Sequence, residues 1–147
     1  MGFNLFMNYL LKQKFNIADL VEIPSEKVEV LLVLEEPSLG EIYHRHFLQQ
    51  GYEANLADFT NLDYVSALLP TAALIVMDFY AHSQQPKLEF LRHVRKNFPR
   101  VSVITVGHAL EDHVMHQLME AGVVGHVNRK FSRPFDIIEI AKTILKN

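Results

Sequence analysis

From residue 28 onward, short apolar runs alternate with amphipathic stretches at a regular spacing. Val30-Leu31-Leu32-Val33-Leu34 is apolar throughout, the pattern of a strand buried on both faces, and it ends in Glu35-Glu36-Pro37. Ser38-Leu39-Gly40-Glu41 then has capping-box spacing, which predicts a helix from Leu39 to Gln50 stopped by Gly51. Tyr52 to Ala57 alternates as a second strand, Asn61 to Leu69 is a helix closed by Pro70, and Ala72 to Met77 is a third strand. Pro86 to Asn97 puts Leu88, Leu91 and Val94 on one helical face, and its Arg92, Arg95 and Lys96 suit a helix C-terminus. Val101 to Val106 is the fourth strand. Leu110 to Ala121 is a helix opened by Glu111 and Asp112 and stopped by Gly122, and a fifth strand falls within Val123 to Asn128. The last helix, Phe135 to Leu145, presents Ile137, Ile140, Ala141 and Ile144 inward.

Five strand–helix alternations with short connections imply parallel strands joined by right-handed crossovers and covered on both faces, a doubly wound α/β sandwich. The strand order 2-1-3-4-5 suits five strands and places the ends of strands 1 and 3 side by side at the switch point. Upstream, Phe3, Phe6, Met7 and Leu10 follow i, i+3, i+4, i+7 spacing, widened by Leu11 and Phe15. Asn16 suits the cap of a second short helix through Asp19, Leu20 and Val21, and Pro24-Ser25 reads as a break. The expected organisation is therefore an N-terminal helical extension over residues 1–26 and one α/β domain over residues 27–147.

Composition narrows the function classes. The 147 residues carry a net charge of −3, with no clustering of Lys and Arg, which gives no reason to expect nucleic-acid binding. With no cysteine, disulfides, thiolate zinc sites and cysteine nucleophiles are excluded. No apolar stretch approaches the roughly 20 residues that span a bilayer, and the N-terminus lacks signal-peptide and myristoylation features, so the expected address is the cytoplasm with no membrane partner.

The chemistry centres on Asp78, which follows Ala73-Leu74-Ile75-Val76-Met77. A carboxylate at the carboxyl end of a buried parallel strand faces the crevice in which such sheets place their ligands. In the order 2-1-3-4-5, Glu35 arrives beside it. Two carboxylates so placed repel, and a hard divalent cation such as Mg²⁺ relieves the repulsion. With the strings Val33-Leu34-Glu35-Glu36-Pro37, Val76-Met77-Asp78, Glu120-Ala121-Gly122 and Arg133-Pro134-Phe135-Asp136 in register, the chain resembles the receiver domain of two-component response regulators, over about residues 27–146. That resemblance implies a flavodoxin-like, receiver-type fold and a phosphorelay module, a phosphoprotein that accepts a phosphoryl group on Asp78. Phosphoryl transfer there would be catalysed by positioning and charge neutralisation. The metal contacts it implies are Asp78, Glu35 and the backbone carbonyl of Tyr80, with Glu36 as a further candidate. The partners it implies are a histidine kinase or phosphotransfer protein upstream and a downstream effector or fused output domain; the N-terminal stripe of Phe3, Phe6, Met7 and Leu10 separately suits packing on its own domain or a homodimer or partner-docking helix. The resemblance implies no enzymatic activity beyond Mg²⁺-dependent phosphorylation and dephosphorylation of the domain's own aspartate.

The departures from that pattern are specific. Where receivers carry an acidic pair at the end of strand 1, Leu34 takes the first position and Glu35 the second. Gly107 aligns with the family's Ser or Thr after strand 4, and Thr105 lies on the same side two residues deeper. The family's lysine after strand 5 matches Arg129 without a gap or Arg133 with one, Lys130 lying between, and His126 takes the switch aromatic's place. Arginine keeps the charge but not the compact ammonium. An atypical pseudo-receiver, which binds partners through the face around its last two helices without phosphorylation, is the alternative.

Other readings are weaker. His113 and His116 have no third ligand clearly placed to complete a metal site and are read as surface residues; His44 and His46 point in different directions. His82, just after Asp78, is the histidine best placed to approach the crevice. Flavin-phosphate binding would meet the acidic Glu35-Glu36-Pro37 loop, and no serine sits at a nucleophile elbow.

Overall fold

The computed structural model describes residues 29–80 and 84–145. The expected N-terminal helices and His82 lie outside the described residues. The elements are β1 (Val30–Val33), α1 (Pro37–Gln49), β2 (Ala54–Ala57), α2 (Leu62–Leu68), β3 (Leu74–Asp78), α3 (Gln84–Asn97), β4 (Ser102–Gly107), α4 (Asp112–Glu120), β5 (Val123–Asn128) and α5 (Pro134–Leu145). Single 3₁₀ turns at Leu69–Thr71 and Arg129–Phe131 follow α2 and β5. All strand pairs are parallel, in the order β2-β1-β3-β4-β5 that the alternation predicts.

Side-chain alternation along the strands divides the core into two layers. Leu31, Val33, Ile75, Met77 and Val103 pack with Val65 and Leu68 of α2, Leu88, Leu91 and Val94 of α3, and Val114 and Leu118 of α4. Val30, Leu32, Val76, Ile104 and Val106 pack on the opposite face with Leu39, Tyr43 and Phe47 of α1 and Ile137, Ile138 and Ala141 of α5. Because β1 and β3 are covered on both faces, every residue in them is buried, which accounts for a sequence that is apolar throughout except at the terminal Asp78.

Two local departures matter. The capping box expected at Ser38 and Glu41 does not form: Pro37 opens α1, Glu36 is its N-cap, and no side chain caps it. Proline at the first helical position has the right φ and no amide to satisfy, so the helix starts two residues earlier and places Ser38 inside its first turn. In the β4–β5 pair, the register changes from Val103↔Val123 to Ile104↔Gly125, a bulge that takes up Val124. This single extra residue places His126 opposite Thr105.

Candidate functional site

The parallel register carries β1 and β3 out together, Val33 beside Met77, so that Glu35 and Asp78 meet beyond the last pair. The Glu35 amide donates to Oδ2 of Asp78 at 2.7 Å. The other carboxylate oxygen is held by Lys87, from the first turn of α3, whose Nζ donates to Oδ1 at 2.9 Å and to the Asp78 backbone carbonyl at 2.7 Å. Oε1 of Glu35 lies 3.2 Å from the same ammonium. Asp78 and Lys87 are both fully buried, whereas the Glu35 side chain is 39% exposed. Nζ also lies 5.9 Å from the ring centroid of Phe59, within cation–π range. An ammonium has three donors, and three oxygens surround this one.

Sequence reasoning missed Lys87, although a signal was present. Lys87, Leu91 and Val94 stand at i, i+4 and i+7, so the lysine continues the apolar stripe of α3. A lysine on a buried stripe must carry its charge to a partner. At the mouth of that stripe the partner is Asp78.

The remaining sequence-derived residues are only partly brought together. Glu36 turns away: its Oε2 accepts from Nη1 of Arg129 at 2.8 Å, and that nitrogen also donates to the Tyr80 hydroxyl at 2.7 Å. Burial disfavours the guanidinium charge, but the Tyr80 and Glu36 contacts outweigh it and hold Arg129 above its ordinary pKa. Arg129 is thus tied beside the crevice by Glu36 and Tyr80. Lys130 lies over the Phe131 ring, 5.6 Å from its centroid, and Arg133 donates its backbone amide to Oδ2 of Asp136 at the start of α5. Tyr80 stacks at a tilt on His108, with centroids 5.3 Å apart. His113 and His116 are exposed and lie beside Glu111 and Glu120. His44 binds the Ala54 carbonyl, and His46 that of Ile42.

At the end of β4, Gly107 fits where a side chain does not. A Cβ there would fall far inside contact distance of the Phe79 carbonyl oxygen and against the Tyr80 ring. The Phe79 amide donates to the Val106 carbonyl at 2.8 Å, fixing this approach. Thr105 is fully buried, and its hydroxyl lies 2.8 Å from Nδ1 of His126, whose Nε2 is 2.8 Å from the His108 carbonyl. A carbonyl only accepts, so Nε2 carries the proton and, in the neutral ring, Nδ1 accepts from Thr105. Burial lowers the His126 pKa, partly offset by the His108 carbonyl.

The oxygens that Mg²⁺ would use do not fit that ion in this arrangement. A hard cation needs near-octahedral oxygen ligands at about 2.0–2.1 Å, and Asp78 and Glu35 already surround a buried ammonium. Among the described residues, no group of three or more His, Asp or Glu side chains is arranged to hold a metal ion. None of their helices is long and apolar enough to cross a membrane.

No family model matches the chain, and no curated protein matches it in sequence. Solved structures do match in shape. A response regulator from Thermotoga maritima aligns with a TM-score of 0.69 at 18% identity, covering 83% of this chain and 100% of that one. The chemotaxis protein CheY4 of Vibrio cholerae aligns at 0.68 and 16% identity, covering 82% and 100%. A pilus assembly protein, CpaE, from Burkholderia thailandensis aligns at 0.69 and 15% identity, covering 82% and 99%. With strand order, switch-point crevice and these alignments in agreement, the chain has the CheY-like α/β fold of response-regulator receiver domains.

Proposed function

We propose that this domain is a pseudo-receiver, a protein-interaction module that works on the receiver fold without phosphorylation of its aspartate. The observation that carries this reading is the state of Asp78: fully buried, with one carboxylate oxygen on the Lys87 ammonium and the other on the Glu35 amide. In-line phosphoryl transfer needs a free carboxylate oxygen and a neutralising cation beside it. Gly107 adds support, because the Phe79 carbonyl occupies the space in which a hydroxyl-bearing side chain would begin. The competing reading, phospho-acceptance by Asp78, is favoured by the position of Asp78 beside Glu35 at the end of β3.

Partner contact falls to the face around β5 and α5. Val124 is 59% exposed, Phe131 78% and Phe135 51%, with Ile140 beside them at 38%. Val124 and Ile140 line one apolar groove between the edge strand and its neighbouring helix, a surface suited to an effector protein or output domain. The distinguishing experiment is incubation with Mg²⁺ and acetyl phosphate or beryllofluoride, followed by intact mass and amide NMR spectra. The expected result is an unchanged mass and unchanged amide positions. A phosphoryl mass gain that disappears in Asp78→Asn would overturn the reading.

A further inference from the structure

We propose that Lys87 is a built-in cation: its ammonium takes the position at which a receiver-type crevice would hold a divalent metal ion, and makes the domain indifferent to that ion. This inference rests on the pseudo-receiver reading and specifies how its acidic site is kept closed.

The charge balance of the crevice requires a cation. Asp78 and Glu35 bring two carboxylates together at the sheet end, and the Asp78 carbonyl adds a third oxygen facing the same point. A soluble ion would satisfy them from solvent. Here α3 delivers the charge covalently: Lys87 lies in the first turn of the helix, on the buried stripe continued by Leu91 and Val94. Its Nζ lies within 3.2 Å of all three oxygens. The point that these three oxygens face is therefore filled by one atom of the chain, whose charge offsets that of the buried Asp78 carboxylate. A second cation on the same oxygens would meet the buried ammonium at close range and be repelled by it. Exchange would require the Lys87 side chain to leave all three oxygens.

The test uses divalent metal alone, so that it is separate from phosphoryl uptake. Mn²⁺, as chloride, is titrated to millimolar concentration into uniformly labelled protein, and paramagnetic broadening of backbone amides is followed, together with the thermal midpoint in Mg²⁺. In the wild type, the amides of Glu35, Asp78 and Phe79 are expected to show no saturable broadening and the midpoint no shift. Lys87→Ala, which removes the ammonium and leaves room for a hydrated ion, is expected to broaden saturably at those amides and to melt higher in Mg²⁺. The double variant Lys87→Ala, Asp78→Asn is expected to lose that response.

Saturable broadening in the wild type, or a folded Lys87→Ala that ignores both ions, would overturn the inference. Should Lys87→Ala fail to fold even with metal present, the wild type decides. A slowly exchanging Lys87 ammonium signal, unchanged by Mg²⁺, upholds the inference, and its displacement by Mg²⁺ defeats it. The two proposals can fail independently. Metal binding by the wild type without phosphoryl uptake removes this inference alone, whereas phosphoryl uptake on Asp78 removes the pseudo-receiver reading.

Discussion

Breaking the Lys87–Asp78 pair from each side measures how far the fold relies on an internal counter-charge. Lys87→Met keeps most of the side-chain volume but leaves the Asp78 carboxylate fully buried, with only the Glu35 amide on Oδ2. Removing one partner of a buried ion pair costs about 3–5 kcal/mol, because the remaining charge is neither paired nor hydrated. Asp78→Asn should cost less, about 2–3 kcal/mol. Its amide oxygen can still accept from Glu35, while Lys87 keeps the residue-78 carbonyl and the half-exposed Glu35 carboxylate. The double variant pairs a thioether with a neutral amide and should regain part of the loss, giving a coupling energy of about 1–3 kcal/mol. Against a total stability on the order of 5–15 kcal/mol, the Lys87→Met loss takes a large share. At a few degrees per kcal/mol for a domain of this size, its thermal midpoint should fall by roughly 10–20 °C. Urea unfolding of the four proteins by circular dichroism, with constant m-values, gives the cycle directly. Single variants each within about 1 kcal/mol of wild type and additive in combination would refute the buried pair.

Other variants examine the surroundings. Gly107→Ser places a Cβ against the Phe79 carbonyl, so urea unfolding should show a loss of about 1–3 kcal/mol, and acetyl phosphate should still leave the mass unchanged. For His126, burial lowers the folded-state pKa below its ordinary 6.5, so the unfolded chain binds the proton more readily. Its stabilisation is present in full above that ordinary value and is lost as pH falls through it toward the lowered one. His126→Gln should therefore flatten the fall in stability between about pH 7 and pH 5, measured by urea unfolding at each pH. Gly122→Ala forces an L side chain onto a φ of +96° and into the Arg95 side chain, and should lower stability by about 1–2 kcal/mol in the same assay. Arg129→Ala breaks an ion pair between partly exposed side chains and should change stability by less than about 1 kcal/mol, measured by urea unfolding.

The sequence made the scaffold legible because its signals were redundant. Buried central strands need continuous apolar runs, and Val30–Val33 and residues 74–77 supply them; the short connections then leave few topologies. The meeting of Glu35 and Asp78 followed from strand order alone. The cation between them did not, because hydropathy counts Lys87 as polar and so as solvent-facing, whereas its long stem crosses a buried stripe to reach one carboxylate. The start of α1 was obscured by a competing local rule, Pro37 overriding the Ser38–Glu41 spacing. The three basic candidates after β5 differ in what they touch. Arg129 reaches Tyr80 and Glu36 beside the crevice, while Lys130 lies over the Phe131 ring and the Arg133 backbone amide binds Asp136. The Thr105–His126 contact depends on a bulge at Val124 that leaves no mark in the apolar pattern.

These contacts bear on whether the domain can switch at all. A ligand moves a two-state equilibrium only by the difference between its affinities for the two states. A soluble cation and a phosphoryl group can supply such a difference because they come and go. Lys87 cannot, since it is present at the crevice whenever the first turn of α3 is docked. The second half of a switch is tied as well: Thr105 is committed to His126, and His126 to the His108 carbonyl, so neither polar group is free to follow a charge arriving at Asp78. On the pseudo-receiver reading, input at the crevice has no differential contact to act through. Regulation, where it exists, has to enter through something that binds one arrangement of the domain better than another. On the pseudo-receiver reading, the groove lined by Val124 and Ile140 supplies such a contact with another protein.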